Sequence, residues 1–414
     1  MNLPNPIPNQ PLMRRNPLRQ SLNSKANFRR SGSDYGHSSD KLVDMNKNQR
    51  ILNLSGKISE IRLPLPLNIQ VLDLSDNFST NMDFVFRFNL PSLQTLRLNH
   101  CDLGSLPDKP PTFSSSLRVF SLEGNHIVNI PDWIFLMPEL TEISLYSNEI
   151  NSVSFPLNSH LIKIINLSYN PIVEVTSDSN FNVQLLNLTQ TRLNKIPDLH
   201  LTSLKTLILS RCCIEGELDY EIFPELASLD VSFNKIESLS EKFVQSCKNL
   251  YSLNLSNNCI TQIPESFECP SNITRIDLSN NNLTSLPIPF LKSSTIENLN
   301  LSHNQLRSLE PFKFRQLRYF NLSHNQLTEL PDSFDSSSFL TQLHLAFNKL
   351  TDLPHSLSAC CYLSDLNCTS NLFTHVPRVV FSLGSLKSLV FSGNVLTTIP
   401  VSLNALLTLT NFDF

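Results

Sequence analysis

Three histidines have the residue type and the sequence spacing that most resemble those of a metal-binding site. His303 and His324 hold the same place in two copies of the phrase NLSHNQL, and His344 lies one copy of the surrounding pattern further on. If the copies form neighbouring strands, the Cα atoms of these two histidines lie about 4.8 Å apart, and their imidazoles could share a metal ion. The sequence offers no third ligand of fixed geometry. We therefore expect surface histidines, with no metal and no other cofactor.

The common catalytic motifs are missing from the sequence. It contains neither of the glycine-rich phosphate-binding patterns G-x-x-x-x-G-K-[ST] and G-x-G-x-x-G, nor H-E-x-x-H, nor G-x-S-x-G. The kinase motifs H-R-D and D-F-G are absent as well. We expect a protein without enzymatic activity and without a small-molecule substrate.

Charge and cysteine content narrow the class of partner. The net charge of −4 and the pI near 6.2 give no basic field for nucleic acid. No stretch approaches the roughly 18 consecutive apolar residues of a membrane span. The nine cysteines form no C-x-x-C pair, and we interpret Cys101, Cys212 and Cys368 as small, buried, reduced side chains. These features predict a cytoplasmic protein.

A repeated pattern, L-x-x-L-x-L-x-x-N-x-L-x-x-L-P, organises most of the chain. It recurs every 21 to 24 residues, which is typical of a solenoid whose units bury their apolar faces against one another. After a degenerate first unit, RILNLSGKISEI, the units start at Ile69, Leu93, Leu117, Leu140, Ile162, Val183, Leu204, Leu226, Leu250, Ile273, Ile296, Leu317, Leu340, Leu363 and Leu386.

Each unit begins with the alternation of a short strand. In one unit Leu317, Phe320 and Leu322 point into the core, whereas Tyr319 and Asn321 point outward. The fixed Asn that follows has a short amide side chain, which supplies a donor and an acceptor to backbone groups buried in the turn. It is replaced by Cys101, Thr191 and Cys212 and is otherwise present as Asn77, Asn125, Asn148, Asn170, Asn234, Asn258, Asn281, Asn304, Asn325, Asn348, Asn371 and Asn394.

This pattern resembles the leucine-rich repeat family in its short intracellular form, over residues 49–414 in about sixteen units, the last of them incomplete. The expected fold is an α/β solenoid, a horseshoe with a concave parallel sheet. Because about ten residues remain for the return leg of a unit, the convex side should hold short 3₁₀ or extended segments. The units also resemble those of Ras-associated scaffolds and the arrays attached to adenylyl cyclases and metal-dependent Ser/Thr phosphatases.

The two ends depart from the pattern. Residues 1–48 are rich in Pro, Asn and Ser and carry several arginines, which predicts a disordered basic tail. Ser31 and Ser33 follow paired arginines, a setting that basophilic kinases accept, and are candidate phosphorylation sites. The final letters, LTLTNFDF, start a further unit and stop within its strand. We expect either a longer parent protein or an uncapped array.

Two groups of outward side chains are candidates for binding a partner protein. The first is apolar and consists of Ile164, Leu185 and Ile208, although something local such as the tail could equally shield it. The second combines aromatic rings with a charged border, which is the composition of a binding hot spot. Scattered surface aromatic residues without a binding role would produce the same sequence. The members of this second group are Tyr319, His324, His344 and Phe347 with Arg275, Asp277 and Asp365.

The sequence thus predicts a non-catalytic protein-interaction scaffold in intracellular signalling. The family resemblance implies that the partner is a signalling protein, such as a small GTPase or a phosphatase. The alternative is that the array is the targeting or regulatory segment of a larger signalling enzyme, a metal-dependent phosphatase or an adenylyl cyclase, that continues past Phe414.

Overall fold

A computed structural model of the chain describes residues 50–57, 65–78, 82–156, 161–177, 182–199, 201–221, 223–398 and 406–414. They contain one long parallel sheet of 17 strands, each paired in register with the strand of the next unit. Its strands, in order along the sheet and the chain, are Ile51–Asn53, Val71–Asp73, Thr95–Arg97, Val119–Ser121, Glu142–Ser144, Ile164–Asn166, Leu185–Asn187, Thr206–Ile208, Ser228–Asp230, Ser252–Asn254, Arg275–Asp277, Asn298–Asn300, Tyr319–Asn321, Gln342–His344, Asp365–Asn367, Ser388–Val390 and Asn411–Asp413.

The strands begin where the repeated pattern predicts them. From Val71 to Ser388, each strand of the long sheet starts two residues after a predicted unit start. The middle residues Phe320 and Leu343 of two such strands are fully buried, while the residues on either side of each are partly or largely exposed. The predicted fold, a parallel-strand solenoid with a leucine-rich core, is confirmed.

The return legs hold the short segments that the unit length predicts. Six 3₁₀ helices and two short α-helices occur among the described residues, and none of these helices is long and apolar enough to cross a bilayer. The 3₁₀ helices are Met82–Arg87, Thr112–Ser115, Asp132–Ile134, Phe334–Ser336, His355–Ala359 and Arg378–Ser382; the α-helices are Glu241–Ser246 and Ile288–Leu291. Two return-leg pairs form small parallel sheets, Ser152–Phe155 with Glu174–Ser177 and Glu215–Leu218 with Lys235–Leu239.

Phenylalanines form a second buried row beneath the return legs. Phe243, Phe267, Phe290 and Phe334 are all buried in this row. Phe312 and Phe314 extend the row, because Phe314 lies 6.4 Å from Phe290 and Phe312 lies 5.1 Å from Phe334 between ring centroids. Buried rings at these separations in edge-to-face arrangement add favourable contact energy to their area burial.

The fixed Asn links its own unit to the preceding unit. Asn304 Nδ2 donates to the carbonyl oxygens of Leu278 at 2.9 Å and Leu301 at 3.0 Å, while its Oδ1 accepts from the Leu283 amide at 3.0 Å. Where cysteine replaces Asn, the thiol retains one such bond, as in Cys101 Sγ to the carbonyl of Leu74 at 3.1 Å. The amide ladder explains why this polar residue is buried.

Candidate functional site

The outward side chains of the long sheet form what we call the sheet face. Each strand contributes its first and third residues, and register fixes their neighbours: Tyr319 lies between Asn298 and Gln342, and Asn321 lies between Asn300 and His344. Adjacent strands are about 4.8 Å apart, so these side chains form two parallel columns.

Most third-position side chains are held by their own turn. Asn300 Oδ1, for example, accepts hydrogen bonds from the backbone amide and the hydroxyl of Ser302, at 3.2 and 2.8 Å. Side chains engaged in this way have less capacity left to bind a partner. The backbone amide two residues further on likewise donates to the side-chain Oδ1 of Asn53, Asp73, Asn166, Asn187, Asp230, Asn254, Asp277, Asn321 and Asn367.

His344 is an exception to this local bonding. Its unit has Ala346 where the units with the Asn or Asp residues named above have Ser or Thr, so the turn offers no hydroxyl. The His344 ring instead lies 5.5 Å from the Tyr319 ring, across two strands of the sheet face. Burial, together with the nearby Asp277 and Asp365, raises the pKa of the Tyr319 phenol. The phenol therefore remains a hydrogen-bond donor at neutral pH.

The charged residues predicted around these rings differ in availability. Asp277 already accepts from Ser279 Oγ at 2.6 Å and from Asn300 Nδ2 at 3.2 Å. Asp365 is half-buried, and its carboxylate forms no hydrogen bond or ion pair with any other described residue. Arg275 is exposed, with its guanidinium carbon 5.9 Å from the Tyr251 ring. Asp365 is thus the acidic group of this border that is open to a partner.

A further column of side chains borders the sheet face at the turn. The residue before the fixed Asn has positive φ in unit after unit, between 53° and 61° at non-glycine positions and up to 71° at glycine. Glycine adopts this conformation without strain, whereas bulky residues seldom do. These positions, which we call the left-handed column, nevertheless carry Tyr169, Arg211, Phe233, His303, His324 and Phe347.

Three consecutive members of the left-handed column stack their rings. His303 and His324 lie 3.9 Å apart at an interplanar angle of 11°, and His324 and Phe347 lie 4.2 Å apart at 14°. We call this set the ring ladder. Burial, and then the neighbouring His303, lower the pKa of His324, so its imidazole is uncharged at neutral pH.

The ring ladder changes the predicted arrangement of the aromatic group. The sequence placed His344 as the next histidine after His303 and His324, but His344 belongs to the third strand position and Phe347 continues their column. The structure pairs Tyr319 with His344 and, separately, His324 with Phe347. The signal that identifies the ladder in the sequence is a ring before the fixed Asn in three successive units.

The apolar group is less continuous than the sequence suggests. Ile164 and Leu185 are direct neighbours at the first strand position, and both are half-buried. Ile208 occupies the third position, where its register partner is Asn187, while Thr206 takes the place beside Leu185. The group is therefore an adjacent pair with one diagonal neighbour, rather than a single apolar column.

Comparison with known proteins agrees with the architecture. Sequence models described as leucine rich repeat match residues 224–283 and 294–350, and a second model of that description matches residues 200–217. The chain contains leucine-rich repeats over these residues. A mouse leucine-rich repeat serine/threonine-protein kinase is 31% identical over 201 residues, which are 44% of this chain and 10% of the kinase. The chain thus matches only a small part of that relative's length.

Solved leucine-rich repeat structures have the same fold. A protein from Leptospira interrogans is superimposed with a TM-score of 0.65 at 24% identity, covering 89% of this chain and 96% of that one. Drosophila Toll, in its complex with Spatzle, gives a TM-score of 0.69 at 20% identity and covers 84% of this chain and 50% of that one. At these identities the likeness shows the fold alone.

A histidine between two carboxylates links three repeats and was not predicted from the sequence. His126 Nε2 lies 3.2 Å from Asp102 Oδ1, and His126 Nδ1 lies 2.7 Å from Glu149 Oε1. The hydrogen bond that His126 donates to the Glu149 carboxylate raises the pKa of His126. These residues follow the fixed position of three successive repeats, where nothing in the pattern itself marks an ion pair.

The remaining predicted groups are placed as follows. All nine cysteines are free thiols, and burial raises the pKa of Cys101 to about 11. Cys368 is fully buried, whereas Cys212 is half-buried and its thiol bonds to the carbonyl of Leu188 at 3.2 Å. Within the described residues, no three His, Cys, Asp or Glu side chains come together as a metal site. Ser31 and Ser33 lie outside the described residues.

Proposed function

We propose that this leucine-rich repeat protein is a non-catalytic scaffold of intracellular signalling that works in the cytoplasm and binds a partner protein on its sheet face. The observation that carries the proposal is the contact between the rings of Tyr319 and His344 on adjacent strands of the sheet face. Half-buried aromatic side chains near a carboxylate that is open to a partner, Asp365, have the composition of a binding hot spot.

The repeat fold supports a protein partner. A stacked array presents a long, regular surface to which each unit adds two variable side chains, and sixteen units at about 4.8 Å each reach across a whole globular domain. The related fold of Toll is seen in complex with the protein Spatzle. A small GTPase or a phosphatase as partner rests on the resemblance of the units to signalling scaffolds.

The alternative function is a targeting segment within a larger signalling enzyme. The match to a leucine-rich repeat kinase supports this alternative, because the aligned region makes up only 10% of that enzyme. The full-length transcript tests it, because a catalytic domain encoded in the same reading frame would support the enzyme. A reading frame without one would leave the scaffold.

The proposed binding surface is tested by affinity capture with the full chain. The variant Tyr319→Ala with Phe347→Ala should weaken capture of the partner by about 2 kcal/mol or more, roughly thirtyfold, because it removes one ring from the Tyr319–His344 pair and one from the ring ladder. Far-UV circular dichroism should remain that of the unsubstituted protein.

A matched control comes from a second exposed ring pair. Phe339 and Tyr362 are 41% and 59% exposed and stack with centroids 6.3 Å apart, but they lie on the return legs, outside the sheet face. Replacing both by Ala should leave capture within about twofold of the unsubstituted protein. Equal capture by the two double variants would place the binding surface elsewhere.

A further inference from the structure

Phe347 ends the ring ladder with one face open. His324 covers the face toward the preceding repeat, whereas the next member of the left-handed column is the small Ser370. Phe347 remains 48% exposed, and no second ring or cation among the described residues lies over it. An exposed aromatic face held rigidly in this way is a ready acceptor for a flat group.

The same column shows which flat group such a face accepts. The guanidinium carbon of Arg211 lies 3.9 Å from the centroid of the Phe233 ring, one repeat further along. Both residues have the left-handed conformation that Phe347 has. A planar cation over a ring face is attracted by the ring quadrupole, and arginine suits this geometry better than lysine does.

The charges around Phe347 favour a cation. On the five strands from Asn298–Asn300 to Ser388–Val390, the outward side chains include one carboxylate, Asp365, and no lysine or arginine. Asp365 has no partner of its own among the described residues. An anionic segment would meet this carboxylate unpaired, which makes an acidic partner the poorer fit.

We propose that the open face of Phe347 receives the guanidinium of an arginine in a basic segment of the partner protein, and that this segment crosses the sheet face beside Asp365. The inference rests on the proposed function and specifies the chemistry of the partner. It makes Phe347 a selectivity residue that distinguishes arginine from lysine, two side chains of equal charge.

The test uses two labelled peptides in which glycine alternates with either arginine or lysine, titrated against the full chain by fluorescence anisotropy. The arginine peptide should bind about fivefold more tightly, the ratio that one exposed cation–π contact provides. Phe347→Leu keeps the bulk without the aromatic face and should abolish this preference, whereas Phe347→Tyr should retain it.

Phe233→Leu is the matched control, because Phe233 has the same backbone conformation and is 41% exposed, but Arg211 already occupies it. This variant should leave the preference unchanged. Equal binding of both peptides, or a preference that survives Phe347→Leu, would overturn the inference. Either result leaves the capture assay with Tyr319→Ala and Phe347→Ala to decide the proposed function separately.

Discussion

Asn304 Nδ2 lies 2.9 Å from the carbonyl oxygen of Leu278, a residue of the preceding repeat. The same amide serves Leu301 of its own repeat, and its oxygen accepts from the Leu283 backbone. One side chain thereby satisfies buried backbone groups of two repeats. Such bonds are costly to remove, because their partners cannot reach water.

Replacing Asn304 should show this cost directly. We expect Asn304→Leu to lower the free energy of unfolding by about 1–3 kcal/mol, since it strands buried backbone groups. Asn304→Cys should cost less, because at the equivalent place the Cys101 thiol still donates to the carbonyl of Leu74. Urea denaturation measures both. The exposed neighbour Gln305 provides a control, because Gln305→Ala should change the free energy of unfolding by less than about 0.5 kcal/mol. Equal losses in the Asn304→Leu and Asn304→Cys variants would contradict the proposed role of the fixed Asn hydrogen bonds.

Restoring the common turn at His344 should separate stability from binding. His344→Asn with Ala346→Ser recreates the bond that Asn300 makes with Ser302, and Ser302 and Ser323 show that a hydroxyl fits when equally buried. We expect unfolding free energy to stay the same or rise, because a local hydrogen bond is gained. Capture of the partner should nevertheless fall, because Tyr319 loses its ring contact. A double variant that binds as well as the unsubstituted chain would show that His344 is dispensable.

Acidification should destabilise the ring ladder. The folded pKa of His324 lies below its ordinary value of 6.5 because of burial and then His303. The unfolded chain therefore binds more protons in that interval, and the free energy of unfolding falls as the pH drops through it. Urea denaturation at about pH 7.5 and about pH 5.5 should show a smaller acid-induced loss in His324→Asn. Asn suits this place, since Asn257 and Asn280 adopt the same backbone conformation. Identical acid-induced losses of stability in the unsubstituted chain and in His324→Asn would contradict the role given to His324.

His126 should respond to pH in the opposite sense. Its hydrogen bond to Glu149 raises the folded pKa above 6.5, so the stabilisation is present at lower pH and is lost as the pH rises through the folded pKa. Because all three side chains are exposed, the effect on stability should be small. An NMR titration of the imidazole is the sharper measurement. Glu149→Gln should lower this pKa toward 6.5, whereas Glu139→Gln, which removes the partner of Arg118, should not; a pKa unmoved by Glu149→Gln would contradict the pairing.

The repeated pattern was sufficient to predict the fold, the strand positions and most of the core. Stacked units bury one residue type at one place, so each position in the pattern has a single structural role that recurs along the chain. Leu317, Phe320 and Leu322 could be assigned to the core without knowing their neighbours. The hydrogen-bonding role of the fixed Asn followed in the same way, because a buried turn always needs a donor and an acceptor.

The candidate site was only partly predictable, because it depends on which side chains meet across units. Tyr319, His324, His344 and Phe347 were recognised as outward rings, but their partition into two separate contacts, Tyr319 with His344 and His324 with Phe347, needed the register and the turn geometry. Phe347 belongs with His303 and His324 because all three have positive φ, a property of the turn that the pattern of apolar residues does not encode.

The sequence by itself therefore determined the solenoid, since its period and apolar alternation leave one way to bury the core. Only the tertiary structure decided the surface, namely the ring ladder, the open face of Phe347 and the placement of His126 between Asp102 and Glu149. Core positions are selected by a shared environment that each unit repeats. Surface contacts join residues about 21 to 24 positions apart, and their distances are set by the pairing of strands and the conformation of turns.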